Sequence, residues 1–196
     1  KQINESGGIK NGVYAGAKYE FETFDDRADP TEAANIAQQL VTRKEVLGLI
    51  GPVNSSNAYA ILPILYDANI PVVSGGASNP GITQKGWSNF FRPFLNDGMA
   101  APLMAEMLDD LGYQKVIVAY ANNDFGLGIY KGFEEKAKEL GMEILTADAW
   151  QPGEDRDFSS MITKWQSLDA DVIFLAGEYT SASRDSHFVI IEEKSL

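Results

Sequence analysis

The sequence predicts an α/β fold in which parallel strands alternate with helices. Strand-like and helix-like segments follow one another from about residue 17 to residue 176, which is the pattern of parallel sheets covered by helices. Two such βα units precede residues 92–97 and three follow them. These residues are therefore the predicted crossover between a first lobe, residues 1–97, and a second lobe, residues 98–196.

The first half of the chain begins with a predicted strand and a predicted helix. Residues 17–24 alternate apolar and polar side chains, as a half-buried strand does. Residues 29–32 read Asp-Pro-Thr-Glu, a helix-start signature ahead of apolar residues at helical spacing up to residue 41. The elements predicted next are a strand at 46–50, a helix at 54–67 bent at Pro63, a strand at 70–73 and an extended segment at 90–94.

The second half repeats the alternation of helices and strands. Its predicted elements are a helix at 97–111, a strand at 115–121, a helix at 125–140, a strand at 143–149, a helix at 157–168 and a strand at 171–176. After Gly177 the interval before apolar residues 188–191 is too short for another helix. The tail beyond about residue 180 is therefore expected to depart from the pattern.

Composition argues against several classes of protein. The chain has 28 acidic and 16 basic residues, whereas a nucleic-acid partner requires clustered Lys and Arg. It contains no cysteine and one histidine, His187, so we expect no metal site. No apolar run approaches the roughly 20 residues that span a bilayer. Residues 1–12 read as the end of a helix and its following turn, which predicts that further residues precede them.

The motifs of nucleotide-binding proteins and of serine hydrolases are missing. Gly126 and Gly128 begin a G-x-G-x-x-G pattern, but Lys131 stands in place of its third glycine. There is no G-x-x-x-x-G-K-[ST] motif and no G-x-S-x-G elbow. The sequence therefore predicts a protein that is not an enzyme and that uses no cofactor.

Two small-residue loops follow predicted strands, at the edge where open α/β sheets bind ligands. In the loop at residues 51–56, the Ser55 hydroxyl and N–H are suited to a carboxylate, although a helix N-cap explains the same serine. The loop at residues 75–78 offers carbonyls and a hydroxyl for an ammonium group or a carboxylate oxygen, although a tight turn explains its glycines.

Two further positions follow strands of the second half. Phe125 is placed to close over a ligand, with a hydrophobic staple for the next helix as the alternative. Glu178 and Tyr179 follow the strand that ends near Gly177 and are predicted to face the same cleft, with a solvated loop as the alternative.

Five segments together resemble the type I periplasmic binding proteins of the leucine/isoleucine/valine-binding family. They are GPVNSS at 51–56, IPVVSGGASNPGIT at 70–83, FRP at 91–93, NDFG at 123–126 and DFS at 157–159. Their order and spacing agree with the family from about residue 1 to residue 179. The family's first strand and helix would precede Lys1, and the rest of its second lobe is absent, so the resemblance implies a chain truncated at both ends.

The resemblance implies a Venus-flytrap of two Rossmann-like lobes with parallel sheets, incomplete in this chain. Such a protein is exported with a signal peptide and is periplasmic or extracellular, either free or lipid-anchored. It closes on a free amino acid, and a branched-chain amino acid is the default ligand. It delivers this amino acid to an ABC permease. The alternatives that remain are a ligand-sensing receptor domain, a regulator of amide or urea uptake and, more distantly, an enzyme with a doubly wound fold.

The resemblance also implies a set of ligand-binding residues in the first lobe. Ser55 would hold the ligand carboxylate. The loop of Gly76, Ala77 and Ser78 would share carboxylate and ammonium contacts through the Gly76 backbone and the Ser78 hydroxyl. Phe125 would supply the aromatic ring that covers the ligand from the second lobe.

The remaining implied ligand residues lie near the end of the chain. Glu178 stands where the family often has a tyrosine, and Tyr179 is beside it. The acid that meets the ligand ammonium would be Glu193, with Glu192 as a near alternative.

Overall fold

The structure, a computed structural model, describes residues 1–177 and contains two parallel three-stranded sheets. The first sheet has the order β1-β2-β3 and the second β5-β4-β6. The elements are α1 (Gln2–Glu5), α2 (Pro30–Val41), β1 (Leu49–Ile50), α3 (Ser55–Asp67), β2 (Val72–Val73), a 3₁₀ helix (Pro80–Lys85), β3 (Phe90–Phe91), α4 (Asp97–Asp110), β4 (Lys115–Ala121), α5 (Asp124–Leu140), β5 (Glu143–Trp150), α6 (Ser159–Gln166) and β6 (Val172–Ala176). The predicted order of helices and strands is confirmed from residue 29 to residue 177.

Helix α2 begins where the sequence predicts. The Asp29 carboxylate accepts hydrogen bonds from the N–H groups of Thr31 (2.7 Å) and Glu32 (2.9 Å), and Pro30 is the first helical residue. These two bonds satisfy N–H groups that have no partner within the helix. They also hold the pKa of Asp29 below its ordinary value, because both bonds favour the ionised carboxylate.

The first sheet is covered on one face by the described residues. Helices α2 and α3 pack against that face and bury residues such as Leu62, Leu65 and Val72. On the other face Ile50, Val73 and Phe91 lie in register across the three strands and are 77%, 41% and 54% exposed. Within residues 1–177, this sheet therefore presents an apolar row to solvent.

The second sheet is covered on both faces. Val116 and Val118 point to the side of α4 and α5, where the ring of Phe133 stacks on that of Phe174 with centroids 4.2 Å apart. Ile117 and Ala119 point to the opposite side and pack with Trp165 of α6. Burial of alternate residues on both faces explains the nearly continuous apolar sequence of β4.

The predicted strand at residues 17–24 is wrong. The backbone of Tyr19 is bonded to the side chain of Asn4, at 2.6 and 2.7 Å, and not to a neighbouring strand. Tyr19 and Phe21 do lie on one side of the segment, where their rings stack with centroids 6.1 Å apart, but both are exposed. Alternation gives the two faces of an extended segment correctly, whereas a strand also requires a partner.

Two other predictions concern the ends of strands and lobes. The strands predicted at 46–50 and 70–73 and the extended segment predicted at 90–94 are all found as strands, but each is only two residues long. The division between lobes at residue 97 stays a prediction. The name first lobe denotes the part of the chain up to β3, and the name second lobe denotes the part from α4 onwards.

No helix within residues 1–177 is both long and apolar enough to cross a membrane.

We expect Phe133→Ala to lower the free energy of unfolding by about 3–5 kcal/mol, because the ring is fully buried and its loss leaves a cavity. Urea denaturation measures this change. Leu103→Ala on α4 is the control: its side chain is 57% exposed, so a change within about 0.5 kcal/mol is expected. Equal losses for the two variants would contradict the core described above.

Candidate functional site

Three loops meet at the carboxyl ends of parallel strands. Residues 51–54 follow β1, residues 74–79 follow β2, and residues 122–123 connect β4 to α5. Loops at this edge of an open α/β sheet form the ligand crevice in many proteins. Hydrogen bonds of Asp124 with Ser56 and Asn79 bring the loop after β4 next to the two loops of the first sheet.

Ser74 joins the first two loops through its side chain. Its hydroxyl is fully buried and donates to the carbonyl oxygen of Pro52 at 2.6 Å. The Ser74 hydroxyl oxygen in turn accepts from the N–H groups of Gly76 (3.2 Å) and Ala77 (2.9 Å). The N–H of Gly76 is thus engaged by the protein, and only its carbonyl remains for the backbone contact predicted at this residue.

Gly76 is also required by its surroundings. A Cβ atom at this position would lie 2.8 Å from the carbonyl oxygen of Val53 and 2.9 Å from its Cα. Because these are backbone atoms, a larger residue would force the two loops apart. The glycine therefore permits the close approach that the Ser74 bonds require.

Arg92 fixes the shape of the second loop from outside. One guanidinium nitrogen, Nη1, donates to the carbonyl oxygens of Ala77 and Asn79, both at 2.9 Å. Burial lowers the pKa of Arg92 from its ordinary value, yet an arginine side chain stays charged at neutral pH. The loop at residues 74–79 is thus held by a partly buried cation.

Ser55 lies in the wall of the crevice and is 2% exposed. The N-cap of α3 is Asn54 and Ser55 is the first helical residue, so the alternative that Ser55 caps the helix is wrong. Its hydroxyl oxygen accepts from the N–H of Asn79 at 3.2 Å. Within residues 1–177, no hydrogen bond uses the hydroxyl proton of Ser55, which is therefore able to donate to a ligand.

Ser78 and Asp97 form a buried pair that the sequence did not reveal. The Ser78 hydroxyl donates to Oδ2 of Asp97 at 3.0 Å, and the N–H of Asp97 donates to the carbonyl oxygen of Ser78, also at 3.0 Å. The two residues are 7% and 5% exposed. Because its proton is committed to Asp97, the Ser78 oxygen is left as an acceptor for a ligand donor.

The electrostatics of Asp97 are dominated by burial. Burial raises the pKa of Asp97 above its ordinary value, while the Ser78 hydrogen bond and the nearby positive charge of Arg92 act in the opposite direction. In sequence, Asp97 reads only as the start of a helix. No local pattern identifies it as a site residue, because its partner Ser78 is 19 positions earlier.

Phe125 is the second residue of α5 and is partly buried. A staple residue precedes the helix cap, and the cap here is Asn123, so the staple alternative is wrong. That Phe125 covers a ligand stays a prediction. Glu178, Tyr179, Glu192 and Glu193 lie outside the described residues.

The polar groups of the crevice match the two ends of a zwitterion. Ser55 offers a hydroxyl donor for a carboxylate, and Ser78 offers an acceptor, supported by the Asp97 carboxylate, for an ammonium group. Within residues 1–177, no group of three His, Cys, Asp or Glu side chains is placed to hold a metal ion.

Comparison with known proteins gives a family match over most of the chain. The family model of the periplasmic binding proteins matches residues 1–183. The chain is similar to the Leu/Ile/Val-binding protein homolog 3 of Brucella melitensis biotype 1, with 29% identity over 189 residues that cover 94% of this chain and 50% of that protein. The chain therefore spans about half the length of the relatives it matches.

Solved structures share the fold. The branched-chain amino acid transporter substrate binding protein LivJ from Streptococcus pneumoniae, in complex with isoleucine, matches with a TM-score of 0.78 and 28% identity, over 89% of this chain and 48% of that one. A solute binding protein of an ABC transporter from R. palustris, in complex with benzoate, matches with a TM-score of 0.77 and 21% identity, over 88% and 46%. The second match shows the fold alone. Together these matches confirm the predicted α/β fold, as an incomplete form of the two-lobed architecture.

The raised pKa of Asp97 predicts a specific pH dependence of stability. Its folded state holds the proton more tightly than the unfolded chain, so the contribution of this carboxyl to stability falls as pH rises from the ordinary value of 3.8 through the raised value. We expect Asp97→Asn, which cannot ionise, to gain stability relative to the unmodified protein as pH rises from about 3 to about 7. Urea denaturation at a series of pH values measures this difference.

Asp29→Asn is a control of opposite sign. The pKa of Asp29 is lowered in the folded state, so its contribution is present above the unfolded pKa and is lost as pH falls. This variant should lose stability relative to the unmodified protein over the same rise in pH. If the stability of both variants, relative to the unmodified protein, changed with pH in the same direction, burial would not be what sets the pKa of Asp97.

Proposed function

The chain belongs to the periplasmic binding protein family, and we propose that it captures a small amino acid for an ABC-type importer. Members of this family bind solutes outside the cytoplasm and are not enzymes. The proposed ligand is a free α-amino acid with an apolar side chain, and branched-chain amino acids are the leading candidates. The proposed partner is an ABC permease, and the proposed location is the periplasm or the cell exterior.

The observation that carries the proposal is the buried Ser78–Asp97 pair beside Ser55. The Asp97 side chain is only 5% exposed, and this burial disfavours its charged form. An ammonium group accepted by Ser78 would bring a positive charge close to Asp97 and offset that burial. Ser55 is then placed to donate to the carboxylate of the same ligand.

The relatives support a ligand with a carboxylate. The solved structures that match this chain include proteins in complex with leucine, isoleucine and benzoate. Each of these molecules has a carboxylate, but only the amino acids also have an ammonium group. Asp97 favours the amino acids, because a buried carboxylate repels an anion that has no positive group.

The proposed mechanism is closure of two lobes around the solute. The first lobe would supply the polar contacts from Ser55, Gly76 and Ser78, and Phe125 at the start of α5 would approach from the second lobe. Closure replaces the water around the ligand with fixed polar groups. The complex would then deliver the solute to the permease.

Capture of an aromatic carboxylate is the second candidate function, because the Ser55 hydroxyl is able to donate to any carboxylate. The protein in complex with benzoate shows only that the same fold accommodates such a ligand. A sensing role for the same fold, in a receptor or in a regulator of amide or urea uptake, differs from import only in its partner. Binding assays separate the ligand classes, and reconstitution with a permease separates import from sensing.

A thermal-shift screen of the full-length protein against amino acids, amides, urea and aromatic acids tests the ligand class. A ligand that binds only the folded state stabilises it by RT ln(1 + [L]/Kd). We expect a rise in melting temperature with L-leucine, L-isoleucine or L-valine and none with benzoate. A rise with benzoate alone would replace the amino-acid proposal with the aromatic-acid one.

Ser55→Ala tests the carboxylate contact. We expect it to weaken L-leucine binding by about 1–3 kcal/mol, or roughly 5- to 150-fold, since a hydrogen bond to a charged group is lost. Isothermal titration calorimetry measures the affinity. The control is Ser167→Ala directly after α6, whose hydroxyl donates to the carbonyl oxygen of Lys164 and which should leave affinity unchanged. Unaltered affinity in a folded Ser55→Ala protein would remove Ser55 from the site.

A further inference from the structure

The peptide groups of Asp124 are hydrogen-bonded across the gap between the two lobes. Asp124 is the first residue of α5 in the second lobe. Its N–H donates to the Ser56 hydroxyl of α3 at 3.3 Å, and its carbonyl oxygen accepts from Nδ2 of Asn79 at 2.5 Å. Both partners belong to the first lobe: Ser56 directly follows Ser55 in α3, and Asn79 directly follows Ser78.

The Asn79 side chain is held in a single orientation by its other bonds. Its Oδ1 accepts from the Tyr59 hydroxyl at 2.9 Å and from the N–H of Gly81 at 2.8 Å. Since the Gly81 N–H can only donate, the amide oxygen must face it and the amide nitrogen must face Asp124. The N–H of Asn79 also donates to the hydroxyl oxygen of Ser55. Asn79 therefore contacts both the proposed ligand-binding residue Ser55 and the second lobe.

The second lobe is shaped to receive this side chain. Gly128 lies one turn after Asp124 in α5, and a Cβ atom there would be 2.8 Å from Nδ2 of Asn79. The absence of a side chain at Gly128 therefore leaves room for the amide. Without that room the Asn79 amide would be displaced from the Asp124 carbonyl.

We propose that Asn79 is an interlobe latch, a positioning residue that holds the start of α5, with Phe125, close to the Ser55 and Ser78 loops. This inference rests on the proposed function, because a latch affects binding only in a protein whose lobes move. Each bond between the lobes stabilises their close arrangement. Loss of the Asn79 bond lowers the population of that arrangement and weakens apparent affinity in proportion.

The first experiment measures the arrangement of the lobes without ligand. The chain contains no cysteine, so Gln38→Cys on α2 and Glu135→Cys on α5, both exposed positions, introduce spin labels at two defined sites. Double electron–electron resonance on the full-length protein then reports the distance between the lobes. We expect a longer and broader distance distribution in Asn79→Asp and in Gly128→Ala than in the protein that carries only the labels.

The two variants remove the latch from opposite sides. Asn79→Asp keeps the acceptor for Tyr59 and Gly81 but has no N–H to donate to Asp124. Gly128→Ala leaves Asn79 intact and obstructs it, while alanine is a better helix residue than glycine. Lys131→Ala, at an exposed position of α5, is the control that should leave the distance unchanged. Unchanged distributions in both latch variants would overturn the proposal.

The second experiment follows L-leucine binding by stopped-flow fluorescence. We expect the dissociation rate to rise about tenfold in Asn79→Asp and Gly128→Ala, with the association rate changed less than about threefold. The reason is that the ligand enters while the lobes are apart and leaves only when the closed lobes reopen. A slower association alone would contradict a latch. Failure of L-leucine to bind the unmodified protein would refute the proposed ligand and leave the distance measurement as the test of the latch.

Discussion

The buried hydroxyl of Ser74 is the interaction on which the geometry of the crevice depends. A polar group removed from water must find partners within the protein, and Ser74 uses its donor on the loop after β1 and its acceptor on two N–H groups of its own loop. Those three bonds set the separation of the two loops. The close approach of Gly76 to Val53 and the contact of Ser55 with Asn79 are compatible with that separation.

Among residues 1–177, the polar network around this centre brings the lobes into contact without an extensive apolar interface. Ser78 contacts the start of α4 through Asp97, and Asn79 contacts the start of α5 through Asp124. The hydrophobic clusters of the first and second sheets are separate. A junction made of a few directional hydrogen bonds rearranges more readily than a packed core, which suits a protein whose lobes open and close.

The sequence predicted the elements better than it predicted the site. Asp29 and Pro30 identify the start of α2, and alternating or continuous apolar residues identify β4, because those signals lie within a few residues of each other. The segment at 17–24 was misassigned because strand pairing depends on a distant partner. The roles of Ser74, Asn79 and Asp97 depend on groups 22, 45 and 19 positions away, which no local pattern reports.

The way in which side chains fix the loop at residues 74–79 has an evolutionary consequence. Arg92, Ser74 and Asn79 fix the loop's backbone, while a Cβ atom at exposed Gly75 would meet no atom within 4 Å. Mutations at such a position can alter the chemistry of the crevice without disturbing the frame that supports it. Because the frame and the contact surface are separate, a substitution on the surface is able to change ligand preference while the fold is retained.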